Sequence, residues 1–296
     1  MYKRQLVDVD GHNFPNLALM KISAYHKAHG DYVEWANALF GKYDKLYMAK
    51  VFDFTADDIT AYNAKEVIKG GTGYNLTSVL PDDIEQCFPD YGLYGITDTA
   101  YGYLTRGCPR GCPFCIVEKK EGKASRKVAN LSDFWNGQKY IKLLDPNILA
   151  CPDWKELFGQ LIASKAWVDY TQGIDIRLMT DEKAEAISKT KVKMLHFAWD
   201  NADDTITPAR LKEYRNSFGI KDSKRLTVYV LTNYNTTHEE DLYRIYKLVD
   251  MGYDPYVMIY DKANAPRKTR LLQRWCNNKI IFNVCPKFNE YNSKIG

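Results

Sequence analysis

Residues 101–117, YGYLTRGCPRGCPFCIV, decide how the rest of this 296-residue chain is interpreted. An apolar, aromatic-rich run predicts a β-strand. Cys108, Cys112 and Cys115 follow it directly, spaced Cys-x3-Cys-x2-Cys. Glycines and prolines stand beside and between them, namely Gly107, Pro109, Gly111 and Pro113. Because glycine permits sharp turns and proline discourages a helix, the segment predicts a tight loop that brings three thiols together.

Three thiols in one loop are typical of a site for an iron–sulfur cluster. A cluster of four irons that is held by three cysteines keeps one iron open for chemistry. A zinc site, the first alternative, normally takes a fourth Cys or His and shows paired motifs, and the second pair is missing here. Three buried cysteines without a metal are the other alternative, and they leave the placement of glycine and proline unexplained.

The segment GCPRGCPFC resembles the cluster-binding motif of the radical S-adenosylmethionine (SAM) superfamily, including the aromatic Phe114 before the last cysteine. The resemblance implies that Cys108, Cys112 and Cys115 ligate a 4Fe-4S cluster whose fourth iron is chelated by SAM. It implies reductive cleavage of SAM to a 5′-deoxyadenosyl radical, and an electron donor such as flavodoxin or ferredoxin. By the same resemblance, the backbone of Phe114 contacts adenine.

Five strand and helix pairs are predicted after the cysteines, by hydrophobic periodicity. The strands are expected at 139–145, 168–176, 192–200, 225–232 and 255–261, and the helices at 153–165, 181–189, 208–218, 238–251 and 266–275. With the strand before the cysteines they make six units, which resemble the partial (β/α)6 barrel of the radical SAM superfamily. This domain is predicted over residues 98–276, followed by a C-terminal tail at 277–296 with a terminal strand and a loop.

The first 80 residues predict a small parallel α/β domain. Its expected elements are strands at 5–10, 31–36, 45–54 and 64–71, a helix at 16–29 and a helical turn near 57–62. Residues 81–97, which are rich in Pro, Gly and Asp, are predicted to be a linker.

This small domain resembles a flavodoxin-like, cobalamin-binding domain. Asp10-Gly11-His12 matches the start of the Asp-x-His-x-x-Gly signature of that domain, and Gly70-Gly71 stands where its later glycine pair would lie. Pro15 replaces the glycine of the signature, and the unit is short. We therefore expect no bound cobalamin, and a structural or substrate-facing role for the domain.

Polar residues at the carboxyl ends of the later strands are candidates to hold SAM, because such barrels place their chemistry there. Asp145 and Asn147 close the second strand, where a carboxylate suits the SAM ammonium group. An Asp-Pro turn with a capping Asn is the alternative. Asp200 follows the fourth strand and is predicted to meet ribose hydroxyls. His196, on that strand, is predicted to be a core histidine.

The third predicted strand carries Gln172, Asp175 and Arg177. Asp175 and Arg177 share a face if the strand continues, because side chains repeat every two residues. An arginine at the barrel mouth suits the carboxylate of SAM. A structural Asp–Arg pair is the competing interpretation, and Gln172 joins the candidates for SAM binding.

Composition is that of a globular protein, with 45% hydrophobic and 26% charged residues and a net charge of +4. No apolar run approaches the length of a membrane span, so a cytoplasmic protein without a membrane partner is expected. Seven cysteines, an odd number, fit a reducing compartment. Cys151, Cys276 and Cys285 are not tightly spaced, so no second cluster is expected.

The substrate is left open by the sequence, and a small molecule, a peptide and a nucleotide all fit. The alternative to a SAM-cleaving enzyme is an iron–sulfur protein that transfers electrons or senses without SAM turnover. A zinc-binding interaction protein is the third candidate.

Overall fold

A computed structural model describes residues 1–11, 14–39, 41–218 and 225–292. The chain divides into two compact units, of which the first comprises residues 1–102 and 129–139 and the second residues 103–128 and 140–296. Parallel sheets with helices occur in both units. The predicted mixed α/β class, with parallel sheets, is therefore confirmed at that level. His12, which belongs to the matched Asp-x-His-x-x-Gly signature, lies outside the described residues.

The first unit is built on four strands, β1 (Lys3–Asp8), β2 (Tyr32–Trp35), β3 (Tyr43–Ala49) and β4 (Ala64–Gly70). They form a parallel sheet in the order β2-β1-β3-β4. Helix α1 (Leu17–Ala28) connects β1 to β2, and the side chain of Asn16 caps it by accepting from the backbone N–H of Leu19. Helix α2 (Asp82–Glu85) and strand β5 (Thr99–Gly102) complete the unit.

Both faces of this first sheet are buried. On one face, Leu6 packs with Leu19 and Ile22 of α1. On the other face, Val7 forms a core with Leu46 and Met48. Since successive residues of a strand point to opposite faces, the neighbours Leu6 and Val7 belong to different cores.

The second unit begins with an antiparallel pair of short strands, β6 (Thr105–Arg106) and β7 (Arg126–Lys127), around helix α3 (Val117–Glu121). Five longer strands follow, β8 (Tyr140–Leu143), β9 (Trp167–Tyr170), β10 (Lys191–Ala198), β11 (Leu226–Thr232) and β12 (Asp254–Ile259). Their helices are α4 (Trp154–Ser164), α5 (Asp181–Lys189), α6 (Ile206–Phe218), α7 (His238–Asp250) and α8 (Arg267–Asn277).

These five strands are all parallel and lie side by side in sequence order. Right-handed crossovers between successive neighbours place the connecting helices on one face. Phe197 on that face is fully buried, as is Val257 of β12. Tyr256 and Met258, on the opposite face, are 41% and 46% exposed. The sheet therefore has one face covered by helices and an opposite face, here called the open face, that is exposed at its edge strand β12, while Asp169 and Thr227 on that face are buried. In the described residues its strands do not close into a barrel.

Three predicted elements are wrong. The strand expected at 168–176 ends at Tyr170, because the chain turns at Gly173, whose φ is +104°, and forms a short 3-10 helix at Ile176–Leu178. The turn expected near 57–62 is not helical. The expected terminal strand is instead a helix, α9 (Lys279–Val284), because the Asn278 side chain caps its first N–H groups.

The strand expected before the cysteines is interrupted. β5 ends at Gly102, and pairing resumes in the antiparallel β6.

Within the described part of the chain, no helix has both the length and the apolar composition that a membrane crossing requires.

Candidate functional site

The cysteine loop of the second unit runs from β6 to α3 and is tied together at its base. The Glu121 carboxylate accepts hydrogen bonds from Arg106 Nη1 (2.9 Å) and from the backbone N–H of Gly107 (3.0 Å). Cys108 N–H donates to the carbonyl of Gly122 at 3.2 Å. Gly107 has a φ of +87°, and a Cβ there would overlap the carbonyl oxygen of Ala124. Glycine is therefore required where the loop begins.

The three cysteines of this loop are free thiols and are partly exposed. Cys115 N–H donates to Cys112 O at 2.9 Å, which closes a tight turn between them. Burial raises the pKa of Cys112, and the nearby Asp200 and Cys115 raise it further. Burial also raises the pKa of Cys115, and Cys108 adds to the increase. The loop thus brings the thiols into mutual electrostatic range.

No three His, Cys, Asp or Glu side chains of the described residues are already arranged as ligands of a metal ion. The donor set itself fits an iron–sulfur cluster, since three thiols come from one loop and thiolates are the ligands that such clusters take.

Asp145, the residue that ends the second predicted strand, is buried beside the loop entrance. Its carboxylate accepts hydrogen bonds from the N–H of Leu104 (3.1 Å), the N–H of Thr105 (2.6 Å) and the hydroxyl of Thr105 (2.6 Å). Burial raises its pKa to about 6, although the bonds from Thr105 oppose this. In this geometry Asp145 positions the strand that leads into the cysteines.

Asn147 lies between Asp145 and the cysteines in the same site. Its Nδ2 donates to Cys108 Sγ at 3.5 Å, and its backbone carbonyl accepts from Ser125 Oγ at 2.9 Å. The side chain is buried, and its Oδ1 has no hydrogen-bond partner in the described structure. A buried carbonyl oxygen without a donor is costly, so Asn147 Oδ1 is an acceptor suited to a bound polar ligand.

Asp175 and Arg177 meet, but not because they share a strand face. Asp175 caps the 3-10 helix, and its Oδ1 accepts from the N–H (3.2 Å) and Nε (2.8 Å) of Arg177. Its other oxygen accepts from Arg110 Nε of the cysteine loop. Although burial would raise it, the bonds from Arg177 and Arg110 lower the pKa of Asp175. Gln172 is exposed in the turn after β9.

Asp200 follows β10 and, like Asp145, is a strongly perturbed acidic group near the thiols. Burial raises its pKa to about 6, and Arg244 and Arg177 oppose the increase. It makes no hydrogen bond or ion pair among the described residues. An ionisable group shifted by burial beside specific charges is typical of a functional site.

Arg244 of α7 supports the strand ends around Asp200. It is fully buried, and it donates to Trp199 O (2.7 Å), Leu231 O (2.8 Å) and Asp241 (2.6 Å). These contacts join the carboxyl ends of β10 and β11 through one guanidinium group. Because α7 is predicted only as a covering helix, sequence reasoning missed Arg244.

Arg110 was missed for a different reason. It lies between two of the cysteines, and only the fold shows that it reaches Asp175. Its position inside the motif is the one sequence signal that could have drawn attention to it.

Phe114 lies within an aromatic row. Its ring makes an edge contact with Tyr234 at a centroid distance of 5.3 Å, and Tyr234 makes another with Tyr260 at 4.9 Å. The row borders the loop on the side of β11 and β12, where an adenine ring would find aromatic neighbours.

His196 belongs to the open face of the second sheet, and is not a fully satisfied core histidine as predicted. Its Nε2 lies 3.3 Å from Asp169 Oδ1, while its Nδ1 is buried without a partner among the described residues. Its ring stacks on Tyr229 at 5.1 Å, with 11° between the planes. The open face therefore carries a histidine and carboxylate pair beside an aromatic ring.

Neither the protein-family models nor the curated proteins that were compared with this chain gave a match. The assignment of function therefore depends on the residues of the site.

Proposed function

We propose that the chain is a radical SAM enzyme that cleaves S-adenosylmethionine reductively and abstracts a hydrogen atom from a substrate. The observation that carries the proposal is the loop with three free, electrostatically coupled thiols beside Asn147, Arg177 and Asp200 of the second unit. A pure electron carrier has no need of the buried polar groups that surround this loop.

The 4Fe-4S cluster, when bound, supplies the electron that cleaves the sulfonium of SAM and yields the 5′-deoxyadenosyl radical. Cys108, Cys112 and Cys115 would hold three irons as thiolates. The neutral forms of Cys112 and Cys115 are favoured in the free protein, because burial raises the pKa of both thiols. Ligation therefore releases protons, and loading is expected to improve as pH rises.

The residues proposed to bind SAM differ in solvent exposure and in the hydrogen bonds that they already make. Arg177 is 35% exposed and presents a guanidinium group for the SAM carboxylate. Asp200 has no hydrogen bond of its own and can accept from ribose hydroxyls. Asn147 Oδ1 can accept from the SAM ammonium group. Phe114 is proposed to contact adenine, and Gln172, which is exposed, is proposed to contact SAM at the edge of the site.

Asp145 is proposed chiefly as a positioning residue. Its two oxygens already accept three hydrogen bonds from Leu104 and Thr105. A carboxylate has about four acceptor positions, so a further contact with the SAM ammonium group is compatible with them. Its loss would displace the strand before the cysteines.

The open face of the second sheet is the proposed substrate surface. His196 Nε2 and Asp169 Oδ1 lie 3.3 Å apart there, and the rings of Tyr229 and Tyr256 have centroids 5.8 Å apart. A substrate placed on this face near the carboxyl ends of β10 and β11 would lie close to Asp200, on the side of the sheet where parallel α/β sheets bind their ligands.

The test is anaerobic reconstitution with iron and sulfide, reduction with dithionite, and addition of SAM. We expect about four irons per chain and release of 5′-deoxyadenosine, measured by liquid chromatography. Cys112→Ala should abolish both, whereas Cys285→Ala, which alters a cysteine outside the loop, should keep both.

Two other outcomes would replace the proposal. A cluster-loaded protein that neither releases 5′-deoxyadenosine nor changes its electron paramagnetic resonance spectrum with SAM would be an electron-transfer or sensing protein. Stoichiometric zinc without iron after anaerobic purification would make the loop a zinc site.

A further inference from the structure

The first unit contains a cavity of about 430 Å³ that the proposed enzyme activity does not use. It lies at the carboxyl end of β1, and Asp8, Phe14, Trp35, Tyr94 and Tyr101 supply its walls. Its size is within the range of small-molecule sites.

The position of this cavity follows from the strand order of the first sheet. From β1 the chain moves to one side to form β2, and then crosses to the other side of β1 to form β3. Strand order therefore reverses at β1, and the crevice outside the carboxyl ends at such a reversal is where open parallel sheets bind ligands. Asp8 is the last residue of β1, and Trp35 is the last residue of β2.

The cavity walls are aromatic rings set in two nearly perpendicular pairs. Trp35 and Tyr94 have ring centroids 5.0 Å apart and planes at 75°. Phe14 and Tyr101 have centroids 5.3 Å apart and planes at 85°. Phe14 and Trp35 are 42% and 38% exposed, which is high for large aromatic side chains. Two exposed rings at the edge of a cavity indicate a surface available to a ligand.

One carboxylate provides the charge of this cavity. Asp8 Oδ2 accepts a hydrogen bond from the Tyr94 hydroxyl at 2.6 Å. Burial raises the pKa of Tyr94, and the hydrogen bond to Asp8 raises it further, so Tyr94 remains a neutral donor. Asp8 is the one charged side chain among the described lining residues.

We propose that this cavity binds a small organic cation of the substituted ammonium class. The negative faces of aromatic rings attract a cation, and the attraction is strongest where water is excluded. The carboxylate of Asp8 adds direct charge complementarity. This site is independent of the cysteine loop and does not rest on the proposed radical SAM activity.

The test compares two probes of the same shape on the full chain. Choline carries a quaternary ammonium group, and 3,3-dimethylbutan-1-ol replaces that group with a neutral tert-butyl group. Binding is measured by ligand-observed nuclear magnetic resonance and by isothermal titration calorimetry. We expect choline to bind at least about tenfold more tightly than the neutral alcohol, because a cation–π contact in a partly dry site is worth a factor of this order.

Variants locate the binding site. Trp35→Leu removes an aromatic wall, and Asp8→Asn removes the charge while keeping an acceptor for Tyr94. Both should weaken choline binding by about tenfold or more. Tyr32→Leu, on the same strand but outside the cavity, and Asp44→Asn, in the same sheet, should leave it unchanged. Trp35→Phe keeps a ring and should retain most of the binding.

Three results would overturn the proposal. The first is equal binding of the two probes, and the second is absence of choline binding at millimolar concentration. The third is tighter binding of the neutral base adenine than of choline. Because the first two use the unaltered protein, a variant that fails to fold does not decide the outcome.

Discussion

The two parallel sheets of this protein differ in how many of their faces are buried. The first sheet has cores on both faces, so the neighbouring residues Leu6 and Val7 both contribute to packing. The second sheet has helices on one face, so Phe197 is in the core while His196, the residue before it, is not.

Strand order explains the difference. In the first sheet the strand order reverses at β1, so right-handed crossovers lie on both faces. In the second sheet the strands follow in sequence order, so all right-handed crossovers lie on one face. The first arrangement leaves a crevice at its reversal point. The second leaves one face without covering helices, and places Asp200 and Arg244 at one end of its strands.

The sharpest test of this comparison is truncation of buried apolar side chains in both sheets. Phe197→Ala should lower the free energy of unfolding by about 3–5 kcal/mol, because it removes a fully buried ring. Leu6→Ala and Val7→Ala should each cost about 2 kcal/mol or more, although they lie on opposite faces. Urea denaturation followed by circular dichroism gives these values, and a neutral Val7→Ala would show that the second face of the first sheet is not a core.

A second prediction concerns glycines with a positive φ, one from each unit. Gly107→Ala should cost about 2–4 kcal/mol and reduce iron loading, because a Cβ there overlaps Ala124 O. Gly137→Ala, at a φ of +114° with no atom within 4 Å of its added Cβ, should cost only about 1 kcal/mol and leave loading intact. Equal losses in the two variants would mean that backbone strain, and not the contact with Ala124, sets the cost.

A third prediction uses the carboxyl group at the end of β10. The pKa of Asp200 is about 6 in the folded protein, above its ordinary value of 3.8. The folded state therefore binds this proton more tightly, and its contribution to the free energy of unfolding falls as pH rises from about 4 to about 6. Asp200→Asn should become more stable than the unaltered protein across that window, by on the order of 2 kcal/mol.

The matched variant for this prediction is Asp145→Asn. The pKa of Asp145 is also about 6, but its oxygens accept three hydrogen bonds. Asparagine offers one acceptor oxygen in place of two, so this variant should be less stable at every pH. Denaturation of both variants at pH 4 and pH 7 checks the contrast, and a stabilised Asp145→Asn would contradict it.

The smallest stability effect is expected on the open face. His196→Gln should change the free energy of unfolding by only about 1 kcal/mol, since glutamine keeps a polar group near Asp169 and the variant loses the stacking of the ring on Tyr229. In the proposed enzyme it should lower product formation while keeping SAM cleavage. A loss of several kcal/mol would indicate that this face is a core as well.

The sequence predicted the strand and helix alternation of both units well, because apolar periodicity reports which faces are buried. It placed β10, α5 and α7 within two residues of their bounds. It failed after Tyr170, where the apolar residues continue but the strand does not. Gly173 and the capping Asp175 end it through backbone geometry, which a count of apolar residues does not detect.

The candidate site was predictable to a different extent for each residue. That three cysteines share one loop was predictable from their spacing alone, because few contacts from elsewhere are needed to form the loop. The pairing of Asp175 with Arg110 joins residues 65 positions apart, and the role of Arg244 depends on a helix packing beneath two strand ends. Such contacts are set by tertiary packing, and one sequence contains no local signal for them.

The bonds of Glu121 to Arg106 and Gly107 would affect how the proposed enzyme captures iron. They close a segment of 15 residues that contains all three cysteines. Closing such a segment costs roughly 2 kcal/mol of chain entropy, and here that cost is met when the protein folds. In the proposed enzyme the chelate effect would therefore be available from the first iron, and assembly of a cluster would be limited by iron delivery and not by ordering of the loop. Glu121→Gln would slow this capture without altering the ligands themselves.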